Sequence, residues 1–334
     1  MQATNPPLRR LRWLRWLRAA SVATALCIAG QAGAQDFPAR ALRIVVPFPV
    51  GSGTDLLARA IGLRLTEQWG QPVIVDNRPG AGGTLSADHV AKAPRDGYTL
   101  LMGNLSVLGM APALYPRLPY DPIYAFEPVS LVSASENVLV VHPSLPVRSV
   151  KDVVALAKAR PDAILYSSAG TGTTTHLAAE LFRLMAGAQI VHVPYKGSPQ
   201  AVNDLLAGQV HMSFTSLASA VPLIQAGRLR AIATTGLKRN ALVPGTPTIA
   251  EVGYPGFEVN AWQGIVGPAG LPGPVVAKLN EGIARALAVP ELRDRMAAIG
   301  LVVGGSTPAA FGAYLKSEQS KWTDVVRRAG IRAD

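Results

Sequence analysis

From Leu42 onward, short apolar runs alternate with stretches whose apolar residues recur at helical spacing. Leu42–Val46 is a brief, mostly apolar run stopped by Pro47, the pattern of a buried strand. Beyond a glycine-rich loop, Leu57, Ile61, Leu65 and Trp69 recur every four residues and mark one helix face, which Gly70-Gln71-Pro72 ends. Val73–Val75 and Tyr98–Met102 read as two more strands, separated by the loop Asn77–Gly83 and a short helix. This β-α-β-α-β order calls for a parallel sheet with right-handed crossovers. After a proline-punctuated stretch, Pro112–Pro128, the alternation resumes at Val138–Val141. It continues through helices Val150–Ala159, Thr173–Met185, Pro199–Ala207 and Leu217–Gln225. The strands between them are Ile164–Tyr166, Ile190–Val193, Val210–Phe214 and Leu229–Ala233. A strand at Ala261–Val266 and two tail helices follow; Thr307 caps the last helix and Pro308 opens it.

Two α/β lobes follow from this pattern: lobe one over 35–138, lobe two over 139–233, and a return to lobe one over 234–334. That path needs two crossing strands, near 138–141 and 231–235, and two strands between lobes make a hinge. Residues 1–34 read as a cleaved export signal. Arg9, Arg10, Arg12, Arg15 and Arg18 precede an apolar stretch, Ala19–Gly30, and Ala32-Gly33-Ala34 offers a small-x-small cleavage site. The stretch is shorter than the roughly 20 residues of a spanning helix. Cleavage removes five arginines and no acid, taking the net charge from +11 to +6. It also removes Cys27, the one cysteine, so the mature chain forms neither a disulfide nor a thiolate metal site. No Lys/Arg run stands outside the signal, which argues against a nucleic-acid partner.

Two loops carry the chemistry. In Pro47-Phe48-Pro49-Val50-Gly51-Ser52-Gly53-Thr54-Asp55, glycines let the backbone approach a ligand, and the helix behind aims unpaired N–H groups and partial positive charge at it. That is an anion site; the same residues also suit a flexible turn with a capped helix. Ser167-Ser168-Ala169-Gly170-Thr171-Gly172-Thr173-Thr174-Thr175-His176 repeats the device in lobe two, where hydroxyls and amides hold a carboxylate without any arginine. Asn104 and Ser106 after the third strand, Tyr195 before a lobe-two helix, and Thr215 at a strand end are further candidates to line the cleft. His176 suits an orienting hydrogen bond, and Trp262-Gln263 suits core packing more than the lining of a pocket. No Gly-x-Ser-x-Gly elbow, Ser-x-x-Lys dyad or His-Glu-x-x-His spacing is present, so neither catalysis nor a metal or other cofactor is expected.

These loops, in this order, resemble the Bug family of extracytoplasmic solute receptors, the binding components of tripartite tricarboxylate transporters. The likeness runs from about Pro38 to the C-terminus. It rests on Ile44–Pro49 with Gly51–Asp55, Asn77–Gly83, Asp96–Gly103, Leu118–Pro122, Gly170–Thr173 with His176-Leu177-Ala178, Val193–Gly197 and Pro247–Glu251. The resemblance implies a type II periplasmic-binding-protein fold, two lobes of mainly parallel sheet flanked by helices and joined by a two-strand hinge. It also implies a monomeric periplasmic receptor that hands a small carboxylate to membrane permease subunits. One ligand carboxylate would be held by Gly51, Ser52, Gly53, Thr54 and Asp55 in lobe one and by Ser168, Ala169, Gly170, Gly172 and Thr173 in lobe two. Thr215 stands where many members carry an Asp that serves an amino-group-bearing ligand, which points toward plain carboxylates. An exported sensor for a membrane kinase and a secreted hydrolase using Ser168 or Thr173 are the alternatives.

Overall fold

The computed structural model describes residues 37–330 apart from 116 and 123, so the expected export signal lies outside the described residues. The first unit is β1 (Leu42–Val46), α1 (Gly53–Trp69), β2 (Val73–Asn77), α2 (Thr84–Ala91) and β3 (Thr99–Asn104). A π-type turn, Leu105–Met110, and the short helix α3 (Ala111–Leu114) lead to the 16-residue strand β4 (Phe126–Val141). The second unit is α4 (Val150–Ala159), β5 (Ile164–Ser168), α5 (Thr174–Ala186), β6 (Ile190–Pro194), α6 (Ser198–Leu206), β7 (Met212–Ser216), α7 (Leu217–Gln225) and β8 (Arg230–Thr234). The chain ends with β9 (Asn260–Pro268), α8 (Gly273–Ala288), α9 (Pro290–Ala297) and α10 (Pro308–Ala329).

The strand order is β2-β1-β3-β9-β4-β7-β5-β6, with β8 also paired to β4. β4 is shared by both lobes. Phe126–Glu136 pair with β9, and Asn137–Val141 pair with β7 and β8. Because β9 is antiparallel to both β3 and β4, β4 runs in the direction of β1, β2 and β3. β7 is antiparallel to β4, and β5 and β6 run with β7. The carboxyl ends of β1–β3 therefore aim at lobe two, and those of β5–β7 aim back at lobe one. Thr235 ties the returning chain to the crossing point: its N–H donates to the Asn137 carbonyl at 3.0 Å, and its hydroxyl donates to the Val259 carbonyl at 2.7 Å.

Two differences from the sequence reading matter. β4 begins twelve residues before the expected Val138, since Pro128 and the polar Ser130, Ser133, Ser135 and Glu136 hide a strand that bulges twice. Lobe two also extends past 233. Val243 joins the core of Val138 and Leu205, and the Tyr254 and Phe257 rings lie 6.1 and 6.4 Å from Phe182 and Phe214. β4 changes partners from β9 to β7 and β8 at 136/137, and Thr235 bonds to Val259 just before β9 begins. The helix α9 was not anticipated either. Trp262 packs in the core, its indole N–H donating to the buried Glu318 carboxylate at 2.9 Å.

Candidate functional site

Alternation along the strands sets which residues share a face of each sheet. In lobe one, β2 and β3 flank β1, so right-handed crossovers put α1 and α2 on opposite faces. Leu101 and Val266 pack with Ala87 and Val90 of α2, and a side chain at Gly264 would strike Phe311 of α10. The other face, covered by α1, carries Asn104, Gln263 and Ser133, which lie in one register line across β3, β9 and β4. In lobe two, Val138 and Val140 pack with Leu205 of α6, while Leu139 and Val141 join the cluster of Phe182 in α5. Ser133, Ser135, Asn137 and Leu139 alternate along one face. Ser133 and Ser135 thus share a face with Gln263 in lobe one, and Asn137 and Leu139 share a face with Phe214 and Ser216 in lobe two.

The lobe-one loop is held by one buried carboxylate. Ser52 caps α1, accepting from the Asp55 amide at 3.3 Å. Asp55, 1% exposed, accepts from the Gly51 amide at 2.8 Å, from Asn77 Nδ2 at 2.9 Å and from Arg59 at 2.9 Å. Burial pulls its carboxyl upward, yet the bonds from Arg59, Gly51 and Asn77 outweigh this and hold it below the usual carboxylate range. Asn77 also donates to the Phe48 carbonyl at 3.0 Å, while the Phe48 side chain packs against the core.

Hydroxyls and imidazoles hold the lobe-two loop instead. The Thr173 hydroxyl donates to the Gly170 carbonyl at 2.7 Å and caps α5, facing the His176 amide at 3.5 Å. The Ala169 amide donates to Thr175 Oγ1 at 2.9 Å, and the Gly170 amide to Ser168 Oγ at 3.1 Å. His176 Nδ1 accepts from the Gly172 amide at 3.1 Å, and His192 Nε2 lies 2.6 Å from Ser168 Oγ. The two imidazoles stack at 4.1 Å, with Tyr166 on the other side of His192 at 4.9 Å. Burial, then the neighbouring His176, lower His192 to about 4, and burial lowers His176 as well.

In both loops the cap oxygen faces the third amide of the helix. The first two amides, Gly53 and Thr54 in α1 and Thr174 and Thr175 in α5, have no intrahelical acceptor. Gly51, Ser52 and Gly53 reach the surface of their loop, whereas Thr54 and Asp55 are buried and Ser168 is fully so. Ser168 and Asp55 shape their loops from within. Asn104 pairs with Gln263 while its Oδ1 caps the π-type turn at Val107, and Ser106 sits half-buried in that turn. The Tyr195 amide donates to the Ser168 carbonyl at 3.1 Å; its hydroxyl turns to Asp204 at 2.7 Å, and its pKa is pushed up to about 12 by burial and that carboxylate. Thr215 pairs with Val138, which packs with Leu205 of α6, and Ser216 pairs with Asn137 on the other face. His192 was not among the expected site residues; the parallel pairing of β5 and β6 brings it to Ser168.

A model of the tripartite tricarboxylate transporter family receptor matches residues 57–331. The chain is 38% identical to Protein BugT of Bordetella pertussis over 306 residues, 91% of this chain and 94% of that one. Among solved structures it is similar to Rpa4515 of R. palustris with adipate (38% identity, TM-score 0.73, covering 89% of this chain and all of that one). It is also similar to MatC from Rhodopseudomonas palustris with bound malate (35% identity, TM-score 0.70, covering 87% of this chain and all of that one).

Proposed function

Because this chain belongs to the tripartite tricarboxylate transporter receptor family, we propose that it captures a small carboxylate between its lobes, in the periplasm, for uptake through membrane permease subunits. The observation that supports this reading is a capped helix start behind a glycine-hydroxyl loop at the carboxyl end of a strand in each lobe, β1 and β5. Their free amides, Gly53 and Thr54 with Thr174 and Thr175, form a ring of donors for one anion, backed by two helix dipoles. Charge-assisted hydrogen bonds contribute about 1.5–3 kcal/mol each, so four supply the roughly 8 kcal/mol of a micromolar complex with some left for closing the lobes. Bound adipate and malate in two relatives support the ligand class. The strand pair crossing at 136/137 and 259/260 is the proposed hinge.

The test is thermal unfolding against a panel of di-, tri- and aromatic carboxylates. A ligand at 100 times its dissociation constant adds about 2.7 kcal/mol of stability. Silence across the whole panel would refute the proposal. One contact favours a second reading, hydrolysis, since Ser168 Oγ and His192 Nε2 are 2.6 Å apart. Ser168 is fully buried, however, and its oxygen already takes the Gly170 amide. Ester turnover that disappears in Ser168→Ala would establish that reading over the first.

A further inference from the structure

We propose that His176 is a positioning residue for anion capture: its unprotonated Nδ1 holds the Gly172 turn in the shape that binds, and a proton taken up there releases the turn and the guest with it. The inference rests on the carboxylate reading of the lobe-two helix start and adds how that same site is held and emptied.

One bond sets the tautomer. His176 Nδ1 accepts from the Gly172 amide at 3.1 Å, so the neutral ring carries its proton on Nε2. Hydroxyls of Thr175 and Ser168 answer the Ala169 and Gly170 amides, and a hydroxyl keeps its charge state across the whole range near neutrality. The Gly172 amide depends instead on a group that titrates. A proton on Nδ1 would set two N–H groups head to head beside a residue only 5% exposed, so the turn has to open for the ring to charge. Gly172 sits at φ +76°, and a side chain there would come within 3.8 Å of Leu114 in α3. The turn that His176 holds therefore stands against lobe one, just ahead of the Thr174 and Thr175 amides.

The surroundings keep the ring uncharged. His192 of β6 stacks on it at 4.1 Å, and a charge on one ring opposes a charge on the other. Tyr166 of β5 covers the far face of His192 at 4.9 Å. On the same helix, Glu180 lies one turn on, its carboxylate shared between the Tyr166 hydroxyl at 2.8 Å and the Arg183 guanidinium at 2.8 Å. Burial lowers His176 below its ordinary value of 6.5; Glu180 opposes this and Arg183 adds to it. The bound form needs the neutral ring and the released form accepts the proton. Affinity is therefore full above pH 6.5 and falls as the pH drops below it. An imidazolium that attracted the anion directly would give the opposite slope.

Titration calorimetry tests this on wild type, His176→Asn and His176→Phe at pH 7.5 and pH 5. The probes are adipate, malate and any other acid of the carboxylate panel that raises the melting temperature. Asparagine keeps an acceptor near the Nδ1 position and does not titrate; phenylalanine keeps a ring for the stack and offers no acceptor. The probe's own protonation is common to the three proteins and cancels in the ratios between them. At pH 7.5 His176→Asn is expected to bind within about threefold of wild type, and His176→Phe about tenfold more weakly. At pH 5 wild type is expected to lose about threefold or more relative to His176→Asn. Nitrogen NMR spectra of the wild-type histidine rings carry the test if either variant fails to fold. They are expected to show His176 with its proton on Nε2 at pH 7.5, and a titration midpoint that the bound acid lowers. A ring protonated on Nδ1, or a wild-type affinity that tracks or exceeds His176→Asn at pH 5, overturns this inference and leaves the carboxylate site standing. A wholly silent panel overturns both.

Discussion

The two loops at the starts of α1 and α5 do one job with different chemistry. Each offers the first two amides of a helix and faces the third with a cap oxygen. In lobe one the loop is braced by the Asp55 carboxylate, shared among Gly51, Asn77 and Arg59. In lobe two no carboxylate among the described residues bonds to the loop backbone; Ser168, Thr173, Thr175, His176 and His192 brace it. A charged brace is strong and indifferent to pH near neutrality, whereas an imidazole brace works only while its acceptor nitrogen stays unprotonated. The same geometry thus has two different failure conditions.

Removing the charged brace should do the most damage. Asp55→Ala strands the Asn77 amide and the Gly51 N–H, and is expected to destabilise the protein by about 3–4 kcal/mol. A urea titration checks this as a lower midpoint with unchanged slope. A loss below about 1 kcal/mol would mean that the loop holds its shape without the carboxylate.

Acid should separate the two loops next. His192 is held at about 4, so the unfolded chain takes up a proton near pH 6.5 that the folded loop refuses until about pH 4. Stability from this source is full above pH 6.5 and is lost as the pH falls toward 4, by about 2–3 kcal/mol. Asp55 contributes in a lower window, since its depressed carboxyl loses stabilisation only as the pH falls below the ordinary carboxylate value of 3.8. Unfolding curves at pH 7 and pH 4.5 for wild type and His192→Asn isolate the term: the variant's acid loss is expected to be smaller.

The smallest effect distinguishes the two glycine turns. Gly51, at φ +83°, has open space around a would-be side chain, so Gly51→Ala carries backbone strain alone, about 1 kcal/mol. Gly170, at φ +127°, would press a Cβ to 3.1 Å from the Tyr195 carbonyl. Gly170→Ala is therefore expected to lower the melting temperature more than Gly51→Ala, and the reverse order would show that the lobe-two loop yields freely.

Local order in the sequence was enough for much of this protein. The α/β alternation, the three strands β1 to β3, the strands β5 to β8 and the two glycine-hydroxyl loops follow from short-range rules of burial, period and capping. Ser52, Thr173 and Thr307 cap the helices they precede because a side-chain oxygen two or three residues from an amide needs no distant partner. Pairing across the chain decided the rest. Ser133 and Gln263 meet only because β9, which returns about 120 residues after β4, is laid beside it. Thr215 and Ser216 are neighbours in sequence and face opposite sides of a sheet whose register no local pattern sets. His192 meets Ser168 across 24 residues because β5 and β6 run parallel. A strand's side chains alternate with a period of two, so one residue of register decides which groups see the space between the lobes, and long-range pairing sets that register.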